Sequence, residues 1–97
     1  MYARVTIMQV LPDKNDEAIG VIRDSVVPAA KQLDGFKGAY LLTDRKTGKG
    51  LVITLWATEN AMTAGESSGF YQQQLAKAKD LFGAPPTREL YEVSAQL

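Results

Sequence analysis

A handful of side chains in this sequence can do polar chemistry in apolar surroundings: Arg4, Trp56, Tyr40, Tyr71, Tyr91, Asn60 and Gln74. Arg4, Thr6 and Met8 recur at steps of two, which on a strand places all three on one face. A guanidinium there can stabilise negative charge as it develops on a substrate oxygen, or it can sit at a rim paired with a carboxylate such as Glu92. Trp56 carries a broad ring and one indole donor, suited either to a pocket wall that orients a ligand oxygen or to a packed core. The tyrosine hydroxyls can donate to a substrate oxygen, most usefully that of Tyr71, or belong to interior and interface rings with a wet tip. Thr6 or the Asn60 amide can position a ring, although asparagine in a first helical turn is also a capping choice. Met62 and Phe70 line either the same pocket or the core, and Ser67 and Ser68 offer contacts for a lid.

The missing residue types narrow the chemistry further. The sequence holds neither cysteine nor histidine, which removes thiol nucleophiles, thiolate and imidazole metal ligands, catalytic triads and imidazole bases. Carboxylates, Tyr, Lys, Arg, amides and Trp are what remain. No glycine-rich phosphate loop follows a strand. Eleven basic residues balance eleven acidic ones, so the field that drives nonspecific nucleic-acid binding is absent from the expectation. The longest apolar stretch, around Leu51 to Ala57, is far short of a membrane span, and Met1 to Val5 does not begin a secretory signal; a cytoplasmic protein without membrane partners is expected.

These residues must be positioned by one small domain, since 97 residues with 45% hydrophobic and 23% charged content support a single core spanning 1–97. A β-branched run from Tyr2 to Val10 predicts a first strand, stopped by Pro12. The acidic and amide residues from Asp13 to Glu17 favour a helix start, and Ile19, Ile22, Val26, Ala30 and Leu33 carry its apolar stripe over roughly Asn15 to Leu33. Pro28 inside that stripe predicts a kink or a tightened last turn. Phe36 to Thr43 and Gly50 to Ala57 read as a hairpin around the solvated Asp44 to Lys49 tip. Thr58 caps a short turn through Met62, Gly65 to Gly69 interrupts it, a second helix runs from Phe70 to about Phe82, and Arg88 to Ala95 alternates as a last strand. The order βαββαβ predicts an α+β, ferredoxin-like fold: a four-stranded antiparallel sheet with two helices on one face.

The third strand bears apolar residues on both sides, Leu51, Ile53 and Leu55 against Val52, Thr54 and Trp56. Helices cover one face of such a sheet, so the other calls for a second copy and a homodimer by sheet-on-sheet packing.

The loop Leu33-Asp34-Gly35-Phe36, the strand ending Leu51-Val52-Ile53-Thr54-Leu55-Trp56, the helix start Thr58-Glu59-Asn60 and the closing Leu90-Tyr91-Glu92-Val93 resemble the antibiotic biosynthesis monooxygenase superfamily, the dimeric α+β barrel group. The resemblance spans nearly the whole chain and implies a pocket between the helices and the sheet face that carries Trp56. It further implies a cofactor-free monooxygenase acting on a phenol, an anthrone or another polyketide-like aromatic. A noncatalytic dimer that binds a small hydrophobic molecule is the alternative. Haem-degrading relatives use a histidine on the second helix and an asparagine on the first strand; by element position this chain offers Gln74 and about Thr6, which argues against haem. The residues assigned on these grounds are Trp56, Arg4 and Tyr71 to catalysis, and Thr6, Asn60, Met62, Phe70, Tyr40 and Gln74 to substrate, with no metal or cofactor.

Overall fold

A computed structural model describes all residues, Met1–Leu97. Strands β1 (Tyr2–Gln9), β2 (Phe36–Thr43), β3 (Lys49–Trp56) and β4 (Thr87–Glu92) form one sheet in the order β2-β3-β1-β4. Every neighbour is antiparallel. The two most apolar strands, β1 and β3, take the centre, where both edges are paired and both faces can be covered, while the charged β4 takes an edge, where water can reach it. The expected α+β, ferredoxin-like sheet with its helices on one face is the observed one.

Alternation along each strand assigns the two faces. Arg4, Thr6, Met8, Val52 and Trp56 point under the helices and are buried, Trp56 most completely. Met8, Ile22 and Val52 form the centre of the core, with Val26, Val27, Leu41 and Phe82 packed against them. On the opposite face Val5, Ile7, Leu51, Ile53 and Leu55 are only half-buried. Tyr40, Leu42 and Tyr91 on that side remain 60%, 48% and 51% exposed.

The first helical rod departs from its expected shape in an informative way. Helix α1 (Asn15–Val21) passes into a π turn (Ile22–Val26) and then into α2 (Val27–Ala30). The Val27 N–H reaches back five residues to the Ile22 carbonyl, so the turn before Pro28 is widened rather than tightened. Proline has no N–H to continue the four-residue ladder, and a wider turn upstream also relieves its ring of the preceding carbonyls. At the start of the rod, Asp16 and Glu17 lie in the first turn but make no capping hydrogen bond; Asp16 pairs with Arg45 and Glu17 with Lys14.

Helix α3 (Glu59–Ser67) opens as expected, the Thr58 hydroxyl accepting from the Ala61 N–H at 3.1 Å. It runs straight through Gly65 and breaks only at Ser68 and Gly69, where Gly69 takes φ 83°. Gly65 is buried within the helix, and a Cβ there would meet Arg4 and Phe70 at the ordinary contact distances of 3.8 and 3.9 Å. Helix α4 (Phe70–Ala76) is shorter than expected, yielding to turns and a 3-10 segment (Lys79–Leu81) before Phe82 bridges to Val10. No helix is long and apolar enough to cross a membrane.

Candidate active site

Between the helices and the Trp56 face of the sheet lies a cavity of about 60 Å³. Its floor is Arg4, Thr6 and Met8 from β1 with Val52, Thr54 and Trp56 from β3; its walls are Ile22, Val26 and Ala30 from the first rod and Phe70, Tyr71, Gln74 and Leu75 from α4, closed by Ala78 and Phe82. The strand period of two delivers the floor. On the other side the widened turn at Ile22–Val26 aims both of its end residues inward. A wider groove of about 480 Å³ lies between the hairpin tip and the β1–α1 loop, but its lining of Asp13, Asn15, Asp16, Arg45, Lys46 and Thr47 is polar and solvent-facing. It lacks the apolar walls that remove a ligand from water.

Arg4 is the only formally charged residue lining the cavity. It is 95% buried, retaining 5% of its accessible surface. One Nη donates to the Met62 carbonyl and approaches Glu66 Oε2 at 3.4 Å. The guanidinium carbon stands 4.4 Å from the Tyr71 ring centre and 5.7 Å from that of Trp56, so aromatic faces replace part of its lost hydration. Glu66 is shared, since its other oxygen pairs with Arg88 from β4. Burial lowers the Arg4 pKa, with Glu66 and Tyr71 opposing the shift. Its Nε–H has no acceptor. One carboxylate answering two guanidinium groups leaves this corner with excess positive charge.

The other polar groups differ in whether they are already engaged. The Tyr71 hydroxyl and Thr6 Oγ1 lie 2.8 Å apart; burial raises the Tyr71 pKa, while Thr6 and Arg4 pull it back. The Trp56 indole N–H donates to Thr54 Oγ1 at 2.9 Å, and Phe36 meets its ring edge-on at 5.6 Å. Trp56 is thus a wall whose one donor is occupied. Gln74, 92% buried, presents an Oε1 with no donor to it.

The structure therefore brings Arg4, Thr6, Trp56, Phe70, Tyr71 and Gln74 together around one cavity. It does not bring Asn60, Tyr40 or Met62 into the lining. Asn60 is on the exposed side of α3, consistent with a residue in the turn that Thr58 caps. Tyr40 pairs with Ile53 and so takes the open face. Met62 is buried beneath α3 and contributes its carbonyl to Arg4. Tyr91 opposes Ala3 on the open face, and the hydroxyls of Ser67 and Ser68 turn back to their own helix at Thr63 and Gly65. Arg4 faces inward rather than toward Glu92, and its counter-ion is Glu66, which strand parity could not reveal. The signal for Glu66 lay in its place one helical turn beyond Met62 on the element facing β1.

No family model matches the sequence. Two uncharacterized proteins of Mycobacterium tuberculosis are similar to it: Rv2557, 33% identical over 98% of this chain and 42% of its own length, and Rv2558, 39% identical over 66% of this chain and 27% of its own. The chain thus spans about two fifths of the first relative and about a quarter of the second. Among solved structures, a monooxygenase from the gene ActVA-Orf6 of Streptomyces coelicolor, in complex with nanaomycin D, superposes with a TM-score of 0.78 at 17% identity, covering 99% of this chain and 90% of that one. A candidate antibiotic biosynthesis monooxygenase from Deinococcus radiodurans gives 0.80 at 16% identity, covering 100% and 96%. Its counterpart from Bordetella bronchiseptica gives 0.81 at 14% identity over 97% of each chain.

Proposed function

We propose that this chain, which has the fold of the antibiotic biosynthesis monooxygenase proteins, is a cofactor-independent oxygenase of a small phenolic or anthrone-like aromatic. The observation that carries the reading is the buried Arg4, whose Nε–H lacks an acceptor at the edge of an apolar cavity. A ring entering there exchanges water for apolar and aromatic walls, and an ionised oxygen on it meets a preorganised cation.

The cavity's only titratable residues are Arg4 and Tyr71. Tyr71 is harder to ionise than a free tyrosine, so it is a donor at neutral pH and not a base. Glu66 already serves two arginines. The chain accordingly supplies no free base, and the substrate enters as, or ionises to, its phenolate or enolate, which Arg4 favours by charge. For an anthrone, the methylene proton leaves to water, the delocalised anion passes an electron to dioxygen, and the pair combines at the former methylene carbon as a hydroperoxide. Cleavage of the O–O bond then leaves a carbonyl on that carbon, with the second oxygen atom released as water: one CH2 and one O2 become one C=O and one H2O. That the Streptomyces protein of this fold binds nanaomycin D supports a small-molecule occupant for the cavity.

Oxygen-electrode assays with metal-free protein and hydroxylated anthrones test this reading. Stoichiometric oxygen uptake lost in Arg4→Leu is expected; no uptake across the panel overturns it.

The cavity's 60 Å³ is small against the roughly 300–1,000 Å³ of drug-sized ligand sites, which favours a second reading, a noncatalytic module with a largely self-filled pocket. Under the first reading α4, which follows the left-handed Gly69, gives way on binding. A second copy covering the half-buried face around Ile53 and Leu55 completes the proposal, as a homodimer. A cytoplasmic protein without nucleic-acid or membrane partners remains part of this reading.

A further inference from the structure

The polar groups around the cavity divide into closed and open ones. Thr6 and Tyr71 satisfy each other, and Thr54 satisfies Trp56. Each of these four has a partner, and what they still offer a ligand is the O–H of Thr54 and that of whichever of Thr6 and Tyr71 accepts from the other. Two atoms are open: Arg4 Nε, a donor, and Gln74 Oε1, an acceptor, each on a side chain more than nine-tenths buried and each lining the same cavity. Buried polar atoms are almost always partnered, so two of opposite hydrogen-bonding sense around one apolar space describe the complement of a ligand.

We propose that Gln74 is the specificity-determining residue of this cavity, accepting a hydrogen bond from a second, un-ionised hydroxyl or N–H on a ring whose first oxygen is held by Arg4. The ligand class is a dihydroxylated, or hydroxyl-and-amine-bearing, aromatic. The inference rests on the ligand site proposed above and adds to it a feature that a simple phenol lacks. Gln74 stands on α4 and Arg4 on β1, so such a ring spans the space between helix layer and sheet. Oε1 is already buried and unpaired; a ligand with the second donor relieves that deficit, and one without it does not.

The test is calorimetric titration of the wild-type chain, under argon to prevent turnover, with resorcinol and hydroquinone and with their monomethyl ethers. The ethers keep the first hydroxyl and the ring and lose only the second donor. At least one diol is expected to bind about tenfold or more tightly than its ether, and Gln74→Met is expected to erase that preference while still binding the ethers. Equal binding of diols and ethers by the wild-type chain overturns the role of Gln74 and leaves the oxygenase reading standing. Failure of every compound to bind overturns the ligand site itself and this inference with it. The wild-type comparison depends on no variant, so a Gln74→Met chain that fails to fold does not shield the proposal.

Discussion

A guanidinium taken out of water needs its charge answered, and Arg4 has only a share of one carboxylate. Removing either partner therefore has unequal consequences. Glu66→Gln leaves Arg4 buried without a counter-charge and is expected to lower stability by about 3 kcal/mol. Arg4→Leu fills much of the same volume with apolar atoms and leaves Glu66 paired with the half-exposed Arg88, so its loss in urea denaturation should be clearly the smaller; the reverse order would contradict the buried-cation account. Tyr71 adds a pH signature. Burial makes its hydroxyl harder to ionise than the ordinary value of 10.0, so the folded chain keeps a proton that the unfolded chain releases. Its contribution is fully present below about pH 10 and is lost as pH rises through the elevated folded value. Tyr91, raised by its hydrogen bond to Glu89, acts with the same sign in both proteins. Tyr71→Phe should therefore show a shallower alkaline loss of stability than the parent, and identical slopes would show that Tyr71 is not the buried group it appears in the fold. At this scale strand parity put Arg4, Thr6 and Met8 on one face but left open whether Arg4 turns inward or sits at a rim beside Glu92. Glu66 could not be placed, because it meets Arg4 across 62 residues of chain, a separation that no local period spans.

The elements hold these side chains through a few backbone positions with little freedom. Gly35 has φ 81°, and a Cβ there would stand 2.6 Å from that of Ala61, so β2 can begin beside α3 only if this residue is glycine. Gly69 has a similar φ of 83° with nothing within 4 Å. Alanine at both sites meets the same left-handed strain, about 1–2 kcal/mol, but only Gly35→Ala adds a collision. Thermal melts should therefore place Gly35→Ala well below Gly69→Ala; equal midpoints would remove the tight β2–α3 approach. Pro28 offers a complementary case, since the π turn already accommodates its missing donor. Pro28→Ala should change stability by less than about 1 kcal/mol, whereas a proline straining a regular helix interior would release about 3. The bounds of β1, β2 and β3 were legible to within a residue because β-branched alternation and turn residues act locally, whereas β4 ends at Glu92, three residues before the alternation to Ala95 suggests. The extent of α3 was not legible, because Gly65 reads as a breaker in sequence and is instead a buried residue inside a continuous helix.

At the scale of the whole molecule, the sheet is covered on one side only. Tyr40, Leu42 and Tyr91 stand exposed beside the half-buried Ile53 and Leu55, a patch that monomeric proteins seldom leave to water. Ile53→Asp or Leu55→Asp should halve the mass seen by analytical ultracentrifugation while leaving the helical signal intact; a parent chain that sediments as a monomer would contradict the covering copy. This two-sided pattern is plain in the residues of β3. The volume of the cavity is not, because it depends on how α4 and the first rod settle against the sheet, a packing outcome that no single element determines.

For Arg4 to serve a bound anion, it must stabilise that anion inside the cavity more than burial disfavours it. Binding 4-nitrophenol, whose anion absorbs in the visible range, and titrating the complex spectrophotometrically measures that balance directly. The bound phenol should ionise at least about one pH unit below the free one, with the shift abolished or reversed in Arg4→Leu. A bound phenol that ionises at or above its free value in the parent chain would contradict the central claim.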